Sequence, residues 1–228
     1  MKTVIIHGQG HKGSTYHIAH SLAGKIGGEL TEFFLPRDFG EFCVGCAGCF
    51  MKGPEHCPHY KKLSPITKAM DEADVIILAS PVYVYHVTGM MKTFLDHYGY
   101  RWMVHTPEPS MFNKQGVCIS TAAGAGLHST NKDMADSLYF WGVARIYRYG
   151  CAVAAINWDN VSGEKKAAID RATTRIAGAI VKNNGRVKPS LKTKSFFYLM
   201  RFMQKRGFNA RDAEYWKNMG WTGSRRPW

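Results

Sequence analysis

Val75-Ile76-Ile77-Leu78-Ala79 is apolar at every position and stops at Ser80-Pro81. A strand without a polar side needs cover on both faces, a condition met chiefly in parallel sheets flanked by helices. The rest of the chain fits that constraint. Residues 2–7 form a second short apolar run that ends at Gly8, and residues 29–35, 116–121 and 147–156 also read as strands. Helical stretches over 14–25, 64–71, 89–100, 128–142 and 163–183 alternate with them. Ser14 suits a helix cap, and Pro65 suits a first helical position. Strand–helix alternation of this kind predicts right-handed crossovers and an α/β, doubly wound, five-stranded parallel sheet in three layers. Such sheets bind ligands beyond the carboxyl ends of their strands. The loops that begin at Gly8, Pro81 and Thr121 are therefore the places to look for chemistry.

The first loop, Gly8-Gln9-Gly10-His11-Lys12-Gly13-Ser14-Thr15, joins a strand to a helix amino end. Free N–H groups and a partial positive charge make such an end an anion site. Ser14 and Thr15 add hydroxyls, and His11 and Lys12 add positive charge. Gly8, Gly10 and Gly13 also spell G-x-G-x-x-G, the dinucleotide fingerprint, with Glu32 close to the position of its acidic partner. The adjacent hydroxyls favour a compact terminal phosphate. A dinucleotide or a ligand-free turn stays open from these residues alone. The second loop, Pro81-Val82-Tyr83-Val84, offers a rigid turn, an aromatic surface and backbone donors for a ring edge. The third, Thr121-Ala122-Ala123-Gly124, is small enough to admit a flat ring.

Cys43, Cys46, Cys49 and Cys57 fall within 15 residues as C-x2-C-x2-C-x7-C, whereas Cys118 and Cys151 stand alone. Clustered thiols of this spacing suit a soft metal or redox chemistry better than a disulfide scaffold. An iron–sulfur cluster, zinc, and free or partly oxidised thiols are the three occupancies open here, with zinc disfavoured by the short arms.

The net charge of +13 is uneven. Residues 186–228 hold 11 Lys and Arg against Asp212 and Glu214, a balance of +9. Residues 195–206 and 211–218 read as helices within this basic tail. The expected domain layout is 1–188 for the sheet domain and 189–228 for a basic aromatic extension. The apolar stripe from Phe196 to Met203 suits packing on the domain or, preferentially, on a second subunit. Neither nucleic acid nor a membrane is the expected partner. No run approaches the ~20 apolar residues of a spanning helix, and Met1–His7 is too short an apolar run for a signal peptide, so a cytoplasmic location is expected.

Taken together, G-x-G-x-x-G-S-T at 8–15, the cysteine motif at 43–57, S-P-V-Y at 80–83 and S-T-A-A-G at 120–124 resemble the flavodoxin-like NAD(P)H-dependent FMN reductases, including the iron–sulfur flavoproteins. Gly89–Asp96 looks like that family's helix after the flavin loop. The resemblance covers residues 1 to about 183 and implies a flavodoxin-like fold with FMN as cofactor. It implies that Gly8, Gly10, His11, Lys12, Gly13, Ser14 and Thr15 form the phosphate loop. Pro81, Val82, Tyr83 and Val84 would line the isoalloxazine, and Thr121, Ala122, Ala123 and Gly124 would face its pyrimidine edge. Gln9-Gly10-His11 departs from the family's frequent Ser-Pro-Arg, which replaces an arginine with a histidine whose charge follows pH. The implied activity is electron transfer from NAD(P)H, as co-substrate, to a quinone, flavin or other small acceptor by a ping-pong cycle. The chemistry would be flavin-borne, with no catalytic side chain. Tyr83, Tyr85 and His86 would shape the acceptor site, with Trp102 and His105 as looser candidates. The alternative is an electron carrier with a [4Fe–4S] cluster on Cys43, Cys46, Cys49 and Cys57 and a ferredoxin-like partner. A homo-oligomer is expected in either case.

Overall fold

A computed structural model describes residues 1–207 and 209–228. The elements run β1 (Lys2–His7), α1 (Ser14–Ile26), β2 (Glu29–Phe34), α2 (Gly48–Met51), α3 (Tyr60–Glu72), β3 (Val75–Pro81), α4 (Gly89–Asp96), β4 (Gln115–Ala122), α5 (Leu127–Phe140), β5 (Arg145–Ala152), α6 (Gly163–Lys182), α7 (Leu191–Lys205) and α8 (Ala210–Asn218). The five strands form one sheet in the order β2-β1-β3-β4-β5, and all pairs are parallel. The register sets His7 beside Ala79, Pro81 beside Thr121 and Thr121 beside Cys151. The three loops singled out from the sequence therefore leave neighbouring strands at the same edge.

Alternation along each strand divides the core in two. Val4, Ile6, Ile76, Leu78 and Cys118 face a cluster with Met91, Phe94, Leu138 and Trp141. Ile5, Val75, Ile77, Val117 and Ile119 face the opposite cluster with Ile18, Leu22, Ile176 and Ile180. The central strands are buried at nearly every position, as their unbroken apolar runs require. β5 lies at an edge, and Arg145 and Arg148 are exposed on it, which guards the edge against pairing with another chain.

Two helix boundaries differ from expectation. α3 starts at Tyr60 rather than Ser64, so Pro65 stands inside it. The ring removes one N–H, and the Ser64 hydroxyl lies 3.4 Å from the Lys61 carbonyl that this N–H would have met. α4 stops at Asp96, and a separate 3₁₀ turn follows at Gly99–Arg101. Its amino end is held by Thr88, whose hydroxyl accepts from the Met91 amide at 3.1 Å.

A third apolar cluster lies outside the two sheet faces. Phe197 and Met200 of α7, Trp216 of α8 and Trp221 pack on Met103 and Phe112. Phe112 lies three residues ahead of β4, and the nearby Tyr139 and Phe140 lie at the end of α5, ahead of β5. α7 therefore seats at the amino edge of the sheet, away from the loops that begin at Gly8, Pro81 and Thr121, while the Arg211 guanidinium of α8 lies 3.5 Å from the Cys49 carbonyl of the cysteine loop.

His7 closes β1. Its ring stacks on Phe34 with centroids 4.4 Å apart, and its Nε2 lies 2.9 Å from Glu32 Oε1. Burial pushes its pKa below the ordinary 6.5, outweighing the opposing bond to Glu32. The unfolded chain thus holds the proton at a higher pH than the folded one. Stability that is complete above pH 6.5 is lost as pH falls through and below it. The urea midpoint is expected to drop between pH 7 and pH 5. His7→Phe is expected to flatten that slope by up to ~1.4 kcal/mol per pH unit, the linkage of one proton. An unchanged slope in the variant would remove His7 as its source.

Candidate functional site

The carboxyl edge of β1, β3 and β4 carries a cleft. From the first loop it is lined by Gln9, His11, Gly13, Ser14 and Thr15, and from the second by Pro81, Val82 and Tyr83. Thr121, Ala122 and Ala123 line it from the third. α1 begins at Ser14 with no acidic residue in its first turn, so nothing offsets the positive end of its dipole. Thr15 and Thr121 share a buried hydrogen bond of 2.6 Å between their hydroxyls, which ties the first loop to the third. The Ser14 hydroxyl is buried in the lining and has no protein partner. A buried, unpartnered hydroxyl costs about 1–3 kcal/mol unless something else satisfies it. An oxyanion at this helix end would do so, and FMN carries such a group in its phosphate. The donor set and the flat, small-residue third loop therefore fit FMN.

Other expected contacts fall elsewhere. Gly8 packs internally: a Cβ there would lie 3.0 Å from Thr88 Oγ1 and 3.2 Å from Ser80 Cβ. Gly10 and Gly124 are exposed and outside the lining, and Lys12 places its ammonium 5.1 Å over the Tyr16 ring. Val84 is 93% exposed and also lies outside it. The cause is a tight turn in which the Tyr83 amide donates to His86 O at 2.9 Å and the His86 amide donates to Tyr83 O at 3.1 Å. Val84 and Tyr85 adopt φ values of 48° and 66° at its tip, a strained region for a β-branched residue. The Val82 amide likewise donates to Thr121 O at 2.8 Å. The Val82 and Tyr83 amides expected as ring-edge donors are thus spent inside the protein, and at those two residues the loop offers side-chain surface instead.

Of the expected acceptor-site residues, only Tyr83 reaches the cleft, where its hydroxyl donates to Gln9 Oε1 at 3.2 Å. His86 is bonded to Asp133 at 2.9 Å. Trp102 stacks on Phe140, and His105 bonds to the buried Asp212 at 2.8 Å beneath the tail. Glu32, the acidic partner a dinucleotide would need, is occupied by His7 and lies 3.6 Å from His20. Sequence reading missed Gln9 and the loop after β5, whose Val153, Ala155 and Ile156 close the cleft's far side. The strand order puts β5 beside β4, which was the available signal; the expected strand running to residue 156 concealed it.

A second hollow lies at the cysteine loop and shares no lining residue with the first. Cys43, Cys46, Cys49 and Cys57 all line it, and all are free thiols. Burial pushes the Cys49 thiol upward, reinforced by its neighbours Cys57 and Cys43. Four soft donors converging on one hollow fit an iron–sulfur cluster or zinc. His59 and His97 also line it, with Nδ1 of His59 3.0 Å from Nε2 of His97. His97 Nδ1 lies 2.8 Å from the Thr93 carbonyl. Donation there leaves Nε2 as the acceptor of the His59 Nδ1–H. Ligand atoms of Cys57, His59 and His97 lie within 4.8 Å of one another. His97 joins this group across 38 residues, a meeting no local spacing reveals.

Comparison with known proteins adds four findings. The family model described as NADPH-dependent FMN reductase matches residues 1–157. A protein named iron-sulfur flavoprotein from Archaeoglobus fulgidus is 29% identical over 183 residues, covering 78% of this chain and 79% of that one. Among solved structures, an NAD(P)H:quinone oxidoreductase from Methanothermobacter marburgensis superposes with a TM-score of 0.60 at 12% identity, over 77% of this chain and 94% of that one. A flavone reductase does so with a TM-score of 0.59 at 18% identity, over 83% of this chain and 66% of that one, just under two thirds of its length. At these identities the two structures show a shared flavodoxin-like fold.

Proposed function

The chain belongs to the family of NADPH-dependent FMN reductases, and from that premise we propose that FMN sits in the cleft at the carboxyl edge with its phosphate at Gly13-Ser14-Thr15. The observation that carries this assignment is the Ser14 hydroxyl, buried in the cleft lining without a protein partner. Bound there, FMN would accept an electron pair from NAD(P)H and deliver it to a small acceptor, such as a quinone or a free flavin, in a ping-pong cycle. The chain's own work is binding and orientation. The α1 amino end and the Ser14 hydroxyl would hold the phosphate dianion. The Thr15–Thr121 bond fixes the spacing between the phosphate loop and the ring loop. Pro81, Val82 and Tyr83 would pack against the ring, and Ala122 and Ala123 leave room for it. Val153 and Ile156 would limit water on the far side. Purified protein is expected to retain one FMN and to oxidise NADPH only in its presence. A protein that takes up no added FMN would defeat the assignment.

A second reading has its own support: all four clustered cysteines line one hollow. In this reading Cys43, Cys46, Cys49 and Cys57 hold a [4Fe–4S] cluster that exchanges single electrons with a ferredoxin-like partner. Purification without oxygen, followed by iron and acid-labile sulfide analysis, tests it. Iron and sulfide in equal amounts, lost in Cys49→Ser, is the expected result. Zinc in their place, or no metal, would reject it.

A further inference from the structure

α7 has two apolar faces. The inner one, with Phe197 and Met200, is buried in the third cluster. Among the described residues the outer one is largely open: Leu191 is 83% exposed, Tyr198 45%, Leu199 53% and Phe202 51%. At 3.6 residues per turn, Leu191, Tyr198 and Phe202 fall within about 40° of one another around the helix axis. Every charged residue of α7 is basic, Lys192, Lys194, Arg201 and Lys205, and Arg206 caps its carboxyl end. By the same projection Lys194, Arg201 and Lys205 flank the stripe on one side, and Lys192 and Arg206 flank it on the other, beside Leu199. The Arg206 guanidinium lies 4.2 Å from the Phe202 ring, and that of Arg226 lies 5.1 Å from Tyr198. The tail's surplus positive charge thus gathers around an exposed apolar stripe.

We infer that this face of α7 docks on an anionic phospholipid bilayer. An apolar centre with cations on both flanks is the pattern of a helix lying in the membrane interface. The stripe would enter the acyl boundary while the long basic side chains reach up to lipid phosphates. Charge complementarity selects this occupant over two others. A second copy meeting the same face would oppose five cations with five cations. A nucleic acid would satisfy the cations but leave the apolar centre without a partner. A bilayer meets both. Because α7 seats at the amino edge of the sheet, the cleft at the carboxyl edge stays clear of the contact. The inference does not rest on the flavin assignment.

Flotation of the full-length protein with phosphatidylcholine vesicles, with and without phosphatidylserine, tests it. Binding is expected only with phosphatidylserine, and it should weaken as salt rises. Each of Lys192→Gln, Lys205→Gln and Arg206→Gln should lower partitioning about fivefold. Leu199→Ser with Phe202→Ser should abolish flotation and leave the thermal midpoint within a few degrees, because both side chains are half exposed. Equal flotation with neutral vesicles, or none with anionic ones, overturns the inference. So does binding that survives the serine pair, which would mark the face as a polyanion site. A serine pair that instead converts a dimer to a monomer in sedimentation overturns it in favour of a second copy.

Discussion

Ser14→Ala will stabilise the FMN-free protein and weaken its hold on FMN by roughly tenfold to a hundredfold. The two effects have opposite signs because one hydroxyl causes both. Without ligand, that hydroxyl is buried and bonded to nothing. Alanine removes the desolvated group, and it is the better helix former at a helix start. A gain of about 1 kcal/mol would raise Tm by roughly 2–4 °C in a chain of this size. With FMN bound, the same change deletes a hydrogen bond to a charged phosphate, worth about 1.5–3 kcal/mol. Thr15→Val provides the contrast. Its hydroxyl already bridges to Thr121 at 2.6 Å, so its loss should lower both apo stability and FMN affinity. Thermal scans of the apo proteins, paired with FMN titrations, separate the two patterns. If Ser14→Ala lowers apo stability, the hydroxyl has a partner in the folded protein and the phosphate assignment loses its main support.

The same contrast shows what a sequence can and cannot disclose. The sheet was legible because burial on both faces leaves no polar residue in Val75–Ala79, and because β1 stops at Gly8 and β3 at Pro81. The helix start proposed to hold the phosphate was legible because local chain direction alone places Gly13-Ser14-Thr15 there. What stayed hidden depends on long-range closure. The turn pairs the Tyr83 and His86 amides with each other's carbonyls, which no residue type reveals, and leaves Val84 exposed outside the cleft lining. The wall formed by Val153 and Ile156 follows from β5 ending at Ala152, whereas the apolar residues that continue to Ile156 read as more strand. His97 reaches His59 and Cys57 only because α4 runs along the sheet face and ends beside the cysteine loop. In the tail the helical period was plain. Aromatic residues on both sides of α7 concealed which face would turn inward.

That inward face makes the tail a structural part of the fold, and Trp216→Ala measures how much. Trp216 is fully buried, with Phe197 at 4.8 Å and Trp221 at 5.2 Å between ring centroids. Its indole N–H donates to the His105 carbonyl at 2.7 Å, and the His105 ring is held in turn by Asp212. Truncation would open a cavity in the third cluster and orphan that carbonyl, for about 3–5 kcal/mol. Domains have only ~5–15 kcal/mol to lose, so a fall in Tm of roughly 6–20 °C is expected. The loss should appear in one cooperative transition, because Phe112 and Met103 bind the cluster to the chain entering β4. FMN affinity measured well below the transition should not change, since the cleft lies at the other edge of the sheet. Two separate transitions, with the later one at the wild-type temperature, would instead make residues 189–228 an appendage whose packing the sheet does not need.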